Sequence, residues 1–352
     1  MSCAVANPAP TLAISNVSKD VINWRRIRCV SKLSKGAKSN IQTRRVRNIT
    51  GEVSAVRSRD YYMPRIDSTI KLNDGRTLGY ATLGDPNGRE LLYLHGGMSS
   101  RLDINFADEM LQDLNVKVIA PDRPGIGISD RQIGRTFSDW ASDTRELLQA
   151  LNLKNLPVLG WSLGGPYALA CGALLSDKIT LVGTIGGVGP LDYKGAVQDL
   201  GLLEDRILLS WPERLLHILS PAGILFKFYS PARMKDELLR AVKGGPDHEI
   251  IKALSLEDAT SFAFESISQG FGGVLDDYLA MRKPWGFNVE TMQITVKMWQ
   301  GTQDHLCPVS ASKILAARLP KAELILKEDS GHFVLHRHLE EVVTTLLAES
   351  ET

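Results

Sequence analysis

The chain has 352 residues, of which 43% are hydrophobic and 23% are charged, and its net charge at neutral pH is +1. Such a composition supports a sizeable buried core and excludes a chain that is disordered throughout. The near-zero net charge argues against a protein built around nucleic acid, because that binding depends on a strong basic field. The length suits one large α/β domain with appended segments.

The N-terminal segment, residues 1–59, differs in composition from the rest of the chain. It carries twelve Lys and Arg residues against two acidic residues, and its first 18 residues have no charge. A Ser-rich, basic segment of this kind is typical of an organelle transit peptide, and its uncharged start favours a chloroplast or other plastid over a mitochondrion. The alternative is a disordered basic tail on a cytoplasmic protein. A nucleic-acid-binding arm is less favoured, since Trp24 is the only aromatic residue before Tyr61.

Two further classes of protein are disfavoured by the sequence. No run reaches the roughly 18 apolar residues that a transmembrane helix needs, and no secretory signal pattern opens the chain. The four cysteines show neither C-x-x-C spacing nor the density of a disulfide scaffold: Cys3, Cys29, Cys171 and Cys307. We therefore expect a soluble protein in a reducing compartment.

The first part of the predicted core domain covers residues 60–190, where strand and helix patterns alternate. Two strands are predicted around Asn73-Asp74-Gly75, since Asp-Gly is a strong signal for a tight hairpin. A Thr136-x-x-Asp139 capping box predicts the start of a helix that continues to residue 151. Short apolar runs predict parallel strands that are buried on both faces, at residues 91–94, 116–120, 156–160 and 179–185.

Residues 191–290 break this alternation. They are helix-like, contain several prolines and lack a strong strand pattern, so we interpret them as a helical insertion. The alternation resumes in residues 291–352, which form the second part of the core domain. Strands are predicted at residues 295–299 and 323–327, with a helix at about residues 309–319 between them and a last helix from about residue 334.

Gly160-Trp161-Ser162-Leu163-Gly164 joins a predicted strand to a predicted helix. A serine nucleophile at such a junction needs a sharp, strained turn, and glycines on either side avoid steric clashes there. We therefore predict that Ser162 is a nucleophile and that Gly160 and Gly164 support its turn. A structural serine in a glycine-rich turn is the alternative.

Further motifs follow in a recognisable order: His95-Gly96-Gly97, Asp122-Arg123-Pro124-Gly125-Ile126-Gly127, Gly301-x-x-Asp304 and Gly331-His332. From about residue 65 to the C-terminus, the sequence resembles the α/β-hydrolase superfamily. This resemblance implies an α/β fold with a mostly parallel sheet and helices on both faces. It also implies that the insertion after the sixth core strand is a helical cap over the substrate pocket.

A serine hydroxyl needs a base to take its proton, and histidine titrates in the useful range. His332 is the predicted base, because it lies between the last strand and the last helix. His336 and His338 lie on that helix, and we expect them at the surface. Asp304 is the predicted acid that orients the base. Asp192, which follows an earlier strand, is a reserve candidate for the acid.

The resemblance also implies an oxyanion hole formed by the backbone N–H groups of Gly97 and Leu163, with Met98 as the neighbouring possibility. His95 and Gly96 precede the first of these donors and are expected to support the loop. A plain tight turn is the alternative for His95-Gly96-Gly97. The Asp122–Gly127 motif is expected to support the site without reacting.

These residues predict a serine hydrolase that cleaves a carboxylic ester or a related acyl compound through an acyl-enzyme. By resemblance, Ser162 argues against epoxide hydrolases and haloalkane dehalogenases, whose relatives carry Asp at this position. The Gly-Gly-Ser-Trp-Gly motif typical of proline iminopeptidases is also absent from the sequence. An acyltransferase and a small-molecule receptor on the same fold are the alternatives.

The expected partner is a small-molecule substrate with a hydrophobic part, because the insertion is rich in aromatic residues. No nucleic-acid partner is expected. The sequence shows no metal-binding cluster and no dinucleotide fingerprint, and the predicted triad requires no cofactor. The oligomeric state stays open.

Overall fold

The computed structural model describes residues 65–242 and 244–350, apart from the side chains of Ile224 and Phe226. The predicted transit peptide at residues 1–59 lies outside the described residues. Among the described helices, none combines the length and the apolar character that a membrane-spanning segment needs.

Within the described ranges, eight strands form one sheet in the order β1-β2-β4-β3-β5-β6-β7-β8. β2 is antiparallel to both its neighbours, and the remaining neighbours are parallel. The predicted, mostly parallel sheet is therefore confirmed. The strands are β1 (Ile66–Lys71), β2 (Thr77–Gly84), β3 (Arg89–Leu94), β4 (Val116–Pro121), β5 (Leu156–Trp161), β6 (Ile179–Ile185), β7 (Val296–Gly301) and β8 (Ala322–Lys327).

Helices cover both faces of this sheet. Successive side chains of a strand point to opposite faces, and β3 follows this rule: Leu92 and Leu94 pack in one apolar cluster, whereas Leu91 and Tyr93 pack in another. The first cluster includes α2 (Phe137–Ala150), α3 (Gly164–Leu174) and α10 (Val309–Arg318). The second includes α1 (Asp108–Asp113) and α11 (Val334–Glu349).

Local sequence signals fix several of these elements. The Thr136 hydroxyl accepts a hydrogen bond from the Asp139 N–H at 3.2 Å, and the Asp139 carboxylate accepts one from the Thr136 N–H at 2.7 Å. The capping box therefore begins α2, as predicted. β7 extends two residues beyond its predicted end, because Gln300 and Gly301 continue the ladder with β8.

The segment between β6 and β7 is helical, which agrees with the predicted insertion after the sixth strand. Pro231 lies in the first turn of its helix behind the Ser230 N-cap, where proline needs no hydrogen-bond donor. The α-helices of this cap are α4 (Leu203–Ser210), α5 (Glu213–Leu219), α6 (Pro231–Ala241), α7 (Gly245–Ala253), α8 (Leu256–Ser266) and α9 (Gly272–Met281).

A buried ion cluster joins α9 of the cap to the core. The Asp277 carboxylate accepts hydrogen bonds from Arg123 at 2.9 Å and from the Tyr167 hydroxyl at 2.8 Å, and it also pairs with Arg135. Burial acts to raise the pKa of Asp277, but the two guanidinium charges outweigh it and lower this pKa to about 2. The carboxylate is therefore charged at neutral pH and holds two buried cations.

Replacement of Asp277 by alanine is expected to lower the free energy of unfolding by about 3–5 kcal/mol, because it removes the counter-charge of buried Arg123 and the nearer of the two carboxylates that pair with buried Arg135. Urea unfolding measures this change. Asp236→Ala is the matched control, since Asp236 is exposed on α6 and its loss should cost no more than about 0.5 kcal/mol. Equal unfolding midpoints for the two variants would contradict the expectation.

Candidate active site

Ser162, Asp304 and His332 lie beyond the carboxyl ends of β5, β7 and β8, which together with β6 are four consecutive parallel strands of the sheet. Parallel strands place these ends at one edge of the sheet, so residues far apart in sequence meet there. His332 Nε2 is 2.9 Å from Ser162 Oγ, and His332 Nδ1 is 2.9 Å from Asp304 Oδ2. The structure thus brings the three residues into one hydrogen-bonded chain.

Ser162 occupies a strained turn between β5 and α3. Its φ is 53°, in the left-handed region that costs a non-glycine residue about 1–3 kcal/mol. A β-carbon on Gly160 would lie 2.2 Å from the carbonyl oxygen of Gly164, and one on Gly164 would lie 2.2 Å from that of Leu94. Both positions therefore need glycine, because the backbone approaches too closely for any side chain.

The carboxylate of Asp304 is held by its own turn. Oδ1 accepts hydrogen bonds from the backbone N–H groups of Leu306 and Cys307, both at 2.8 Å. Oδ2, which faces His332, also accepts one from the Gln300 amide at 2.9 Å. These donors fix the carboxylate in the orientation that the imidazole requires.

Gln300 was not singled out in the sequence. Its amide oxygen accepts a hydrogen bond from Ser312 on α10 at 2.8 Å, which sets the direction of its NH₂ group. A glutamine near the end of a predicted strand, four residues before Asp304, is only a weak signal for a site residue. The contacts in the structure show that Gln300 orients the Asp304 carboxylate.

The loop that carries His332 is anchored by the cap. Asp247 on α7 accepts hydrogen bonds from the backbone N–H groups of His332 at 2.7 Å and Phe333 at 2.8 Å. A β-carbon on Gly331 would lie 2.3 Å from the Asp247 carboxylate, so Gly331 makes room for this contact. The sequence gives no signal for Asp247 either, because this residue lies in the insertion, 85 residues before its partner.

The pKa of His332 is set by opposing effects. Burial acts to lower it, but the negative charge of Asp304 and its hydrogen bond raise it well above the usual 6.5. The Cys307 thiol also contacts the ring, and because burial raises the pKa of Cys307, this thiol is neutral near pH 7. Asp304 therefore stabilises the imidazolium that forms when His332 accepts a proton.

The loop after β3 is oriented by Arg123. Its guanidinium donates hydrogen bonds to the carbonyl oxygens of His95 and Gly96, both at 2.6 Å. The peptide bonds of the described residues are trans, so the N–H of Gly97 points away from the Gly96 carbonyl and hence away from Arg123. Gly97 itself lines the cavity that contains Ser162.

Leu163 is the N-cap residue of α3, where backbone N–H groups precede the first intrahelical hydrogen bonds. A β-carbon on Gly97 would lie 3.3 Å from the Leu163 side chain. The two predicted oxyanion donors therefore belong to neighbouring residues. Met98, the alternative donor, adopts a left-handed φ of 45°.

His95 and Gly96 hold this loop in place, as their motif implied. His95 Nε2 accepts a hydrogen bond from the backbone N–H of Arg123 at 3.2 Å, and the backbone N–H of Gly96 donates to the Asp103 carboxylate at 3.0 Å. Burial lowers the pKa of His95 well below 6.5, and the charge of Arg123 adds to this effect. His95 is therefore neutral and can accept that bond.

The surface position predicted for His336 is wrong. His336 stacks on Phe106 with ring centroids 4.1 Å apart, and burial lowers its pKa to about 3. It is half-buried and precedes Leu339 and Val343, buried residues of α11, at helical spacing. His338 is also partly buried, with Nε2 3.1 Å from the Ser330 hydroxyl.

Asp192, the reserve acid, is not part of the triad geometry. It forms a surface ion pair with Arg318 at 2.7 Å. The His332 ring pairs instead with Asp304.

A cavity of about 180 Å³ opens beside Ser162 under the cap. Most of its lining is apolar, and Phe262 and Tyr278 are cap aromatics that reach it. Two polar side chains stand out besides Ser162 and His332: Asp205 on α4, and the Tyr278 hydroxyl, which donates to Asp205 at 2.6 Å.

A family model described as alpha/beta hydrolase fold matches residues 91–339. A protein from Leptolyngbya boryana described as a probable proline iminopeptidase is 24% identical over 283 residues, covering 74% of this chain and 86% of that protein. Lipase 1 of Psychrobacter immobilis is 25% identical over 283 residues, covering 78% and 80%. Among solved structures, an esterase from Exiguobacterium antarcticum has a TM-score of 0.57 at 20% identity, covering 81% and 99%, which shows the shared fold.

The ionisation of His332 tests the electrostatics of this site. Asp304→Asn removes the negative charge but leaves the ring buried, so the pKa of His332 should fall below its value in the parent protein. Imidazole NMR signals followed against pH measure both values. Asp192→Asn, which breaks only the surface pair with Arg318, should leave the pKa of His332 unchanged, and equal shifts in both variants would refute this account.

Proposed function

We propose that this chain, which belongs to the α/β-hydrolase family, is a serine hydrolase that cleaves a carboxylic ester or related acyl compound. The observation that carries the proposal is the hydrogen-bonded chain from Ser162 through His332 to Asp304, beside a mostly apolar cavity. A nucleophile, a base and an orienting acid in this geometry are the requirements for acyl transfer to serine.

In the first step, Ser162 Oγ attacks the ester carbonyl carbon while His332 Nε2 takes the hydroxyl proton. The bond between the carbonyl carbon and the alcohol oxygen then breaks, and His332 gives its proton to the departing alcohol. An acyl-enzyme on Ser162 results. Water then attacks the acyl carbon while His332 Nε2 takes a proton from it, the bond between this carbon and Ser162 Oγ breaks, and His332 returns the proton to Oγ as the carboxylic acid leaves.

Asp304 supports both steps by fixing the imidazole tautomer. Its Oδ2 faces Nδ1 of His332, so in the neutral imidazole, which is the form that acts as the base, the proton stays on Nδ1 and Nε2 accepts from Ser162. Proton placement on the ring follows from this pairing.

We assign the oxyanion hole to the N–H groups of Gly97 and Leu163. Arg123 supports this assignment, because its hydrogen bond to the Gly96 carbonyl sets the direction of the Gly97 N–H before substrate binds. Each preorganised donor of this kind typically contributes about 10²- to 10³-fold in rate.

The lining of the cavity supports a substrate with a hydrophobic part next to the scissile carbonyl. Met98, Leu209 and Phe262 are among the apolar side chains that face this space. Their burial against substrate favours binding of apolar groups.

Ser162→Ala should lower kcat for a short-chain p-nitrophenyl ester by about 10⁴-fold or more, because the nucleophile is lost while binding and oxyanion donors remain. Steady-state kinetics on p-nitrophenyl acetate, butyrate and octanoate, beside a prolyl p-nitroanilide, measure activity and class together. Ser310→Ala is the control, since Ser310 is exposed at the start of α10. Ester hydrolysis that survives in Ser162→Ala, or turnover of the anilide alone, would overturn the ester-hydrolase proposal.

We also propose that residues 1–59 are a transit peptide that directs the chain to a plastid. The support is their composition: twelve basic and two acidic residues after an uncharged start. N-terminal sequencing of the protein from its native source should give a mature start well inside this segment or near its end. A mature protein that still begins at its first residues, in the cytoplasmic fraction, would contradict the proposal.

A further inference from the structure

Asp205 differs from the other carboxylates around the site because it faces the cavity. It lies on α4 of the cap and lines the same space as Ser162 and His332. Oδ1 accepts the Tyr278 hydroxyl at 2.6 Å. For Oδ2, the described part of the chain provides no further hydrogen bond.

The surroundings of Asp205 offer little compensation for its charge. The remaining lining of the cavity is mostly apolar and, within the described residues, contains no Lys or Arg. Burial raises the pKa of Asp205 above its usual range, against the lowering effect of the Tyr278 hydrogen bond and of His332. A half-buried carboxylate with one protein donor in such a place gains when a ligand supplies a second donor.

Tyr278 connects this carboxylate to the reaction centre. Its hydroxyl oxygen lies 3.4 Å from the position that a β-carbon on Gly97 would take, so it borders the loop assigned to the oxyanion hole. Asp205 is one hydrogen bond further from that loop. A group on the substrate that reaches Asp205 is therefore only a few bonds from the carbonyl that Ser162 attacks.

We propose that Asp205 and Tyr278 form a polar subsite that selects acyl substrates with a hydrogen-bond donor, a hydroxyl or an ammonium group, near the scissile carbonyl. This inference rests on the serine-hydrolase function proposed above. Asp205 accepts the donor through Oδ2, while Tyr278 fixes the carboxylate through Oδ1. The apolar side chains around it offer few competing partners and so favour the bond to the substrate.

Matched esters that differ only in this donor test the subsite. On the acyl side, the substrates are the p-nitrophenyl esters of 3-methyl-, 3-hydroxy- and 3-(aminomethyl)phenylacetic acid. On the alcohol side, they are the butyrates of 3-methyl- and 3-hydroxybenzyl alcohol. The rigid ring prevents the donor from attacking its own ester.

The parent enzyme should favour at least one donor ester over its methyl partner by about 10-fold or more in kcat/KM, as expected for a hydrogen bond to a charged group. Asp205→Leu should abolish or reverse this preference, because kcat/KM falls further for the donor ester than for its methyl partner. Asp205→Asn, which is nearly isosteric, should reduce the preference without a large fall in the thermal unfolding midpoint. The hydroxyl and ammonium arms show which donor the subsite takes.

The result that overturns the subsite is an equal loss of kcat/KM on donor and methyl esters in Asp205→Leu and Asp205→Asn, or a parent enzyme that prefers the methyl esters. The Asp205–Tyr278 hydrogen bond would then serve only to connect α4 to α9. Failure of the proposed function is a different outcome, in which the parent turns over none of the esters. In that case, calorimetry with the corresponding amides decides: tighter binding of the hydroxyl or aminomethyl amide, lost in Asp205→Leu, supports the subsite, and equal binding refutes it.

Discussion

The buried guanidinium of Arg123 connects the cap to the loop beside the nucleophile. On one side it donates to the carbonyl oxygens of His95 and Gly96, and on the other it pairs with Asp277 of α9. A buried charge needs a counter-charge and hydrogen-bond partners, since an unpaired buried charge is costly. The same side chain therefore helps to fix both the position of α9 and the direction of the Gly97 N–H. Arg123 thus links helix α9 of the cap to the loop assigned to the oxyanion hole.

Carboxylates also hold the loops of the site in place, each by accepting hydrogen bonds from backbone N–H groups. Asp103 accepts from Gly96, Asp304 accepts from its own turn, and Asp247 accepts from His332 and its neighbour. Loops that carry reacting groups have few regular hydrogen bonds of their own, so such anchors supply the rigidity that catalysis needs. Asp247 comes from the cap, as Asp277 does. The cap thus positions residues of the core in addition to covering the cavity.

The sequence predicts most of the core because its signals are local. The turn at Ser162 follows from glycines and an apolar run within five residues, and α2 follows from a capping box. The order of the triad residues is also visible, since each follows a predicted strand. Asp247 and Asp277 are different: each is an ordinary acidic residue on a cap helix, and its partner lies far away in the sequence. His336 shows the same difficulty, because its burial depends on Phe106 rather than on the residues beside it.

The aspartates near Ser162 have the same side chain, and the number and kind of their hydrogen-bond partners give each a different role. Asp277 faces two guanidinium groups and a tyrosine hydroxyl, so its capacity is filled by the protein and it holds structure. Asp304 is filled by two backbone N–H groups and an amide, apart from the direction that faces His332. Asp205 has one protein donor and faces the cavity. A carboxylate that the fold leaves only partly paired is stable in an apolar space when something outside the fold completes it. This difference in pairing, which no single sequence position reveals, separates a residue that holds the site from one that recognises its substrate.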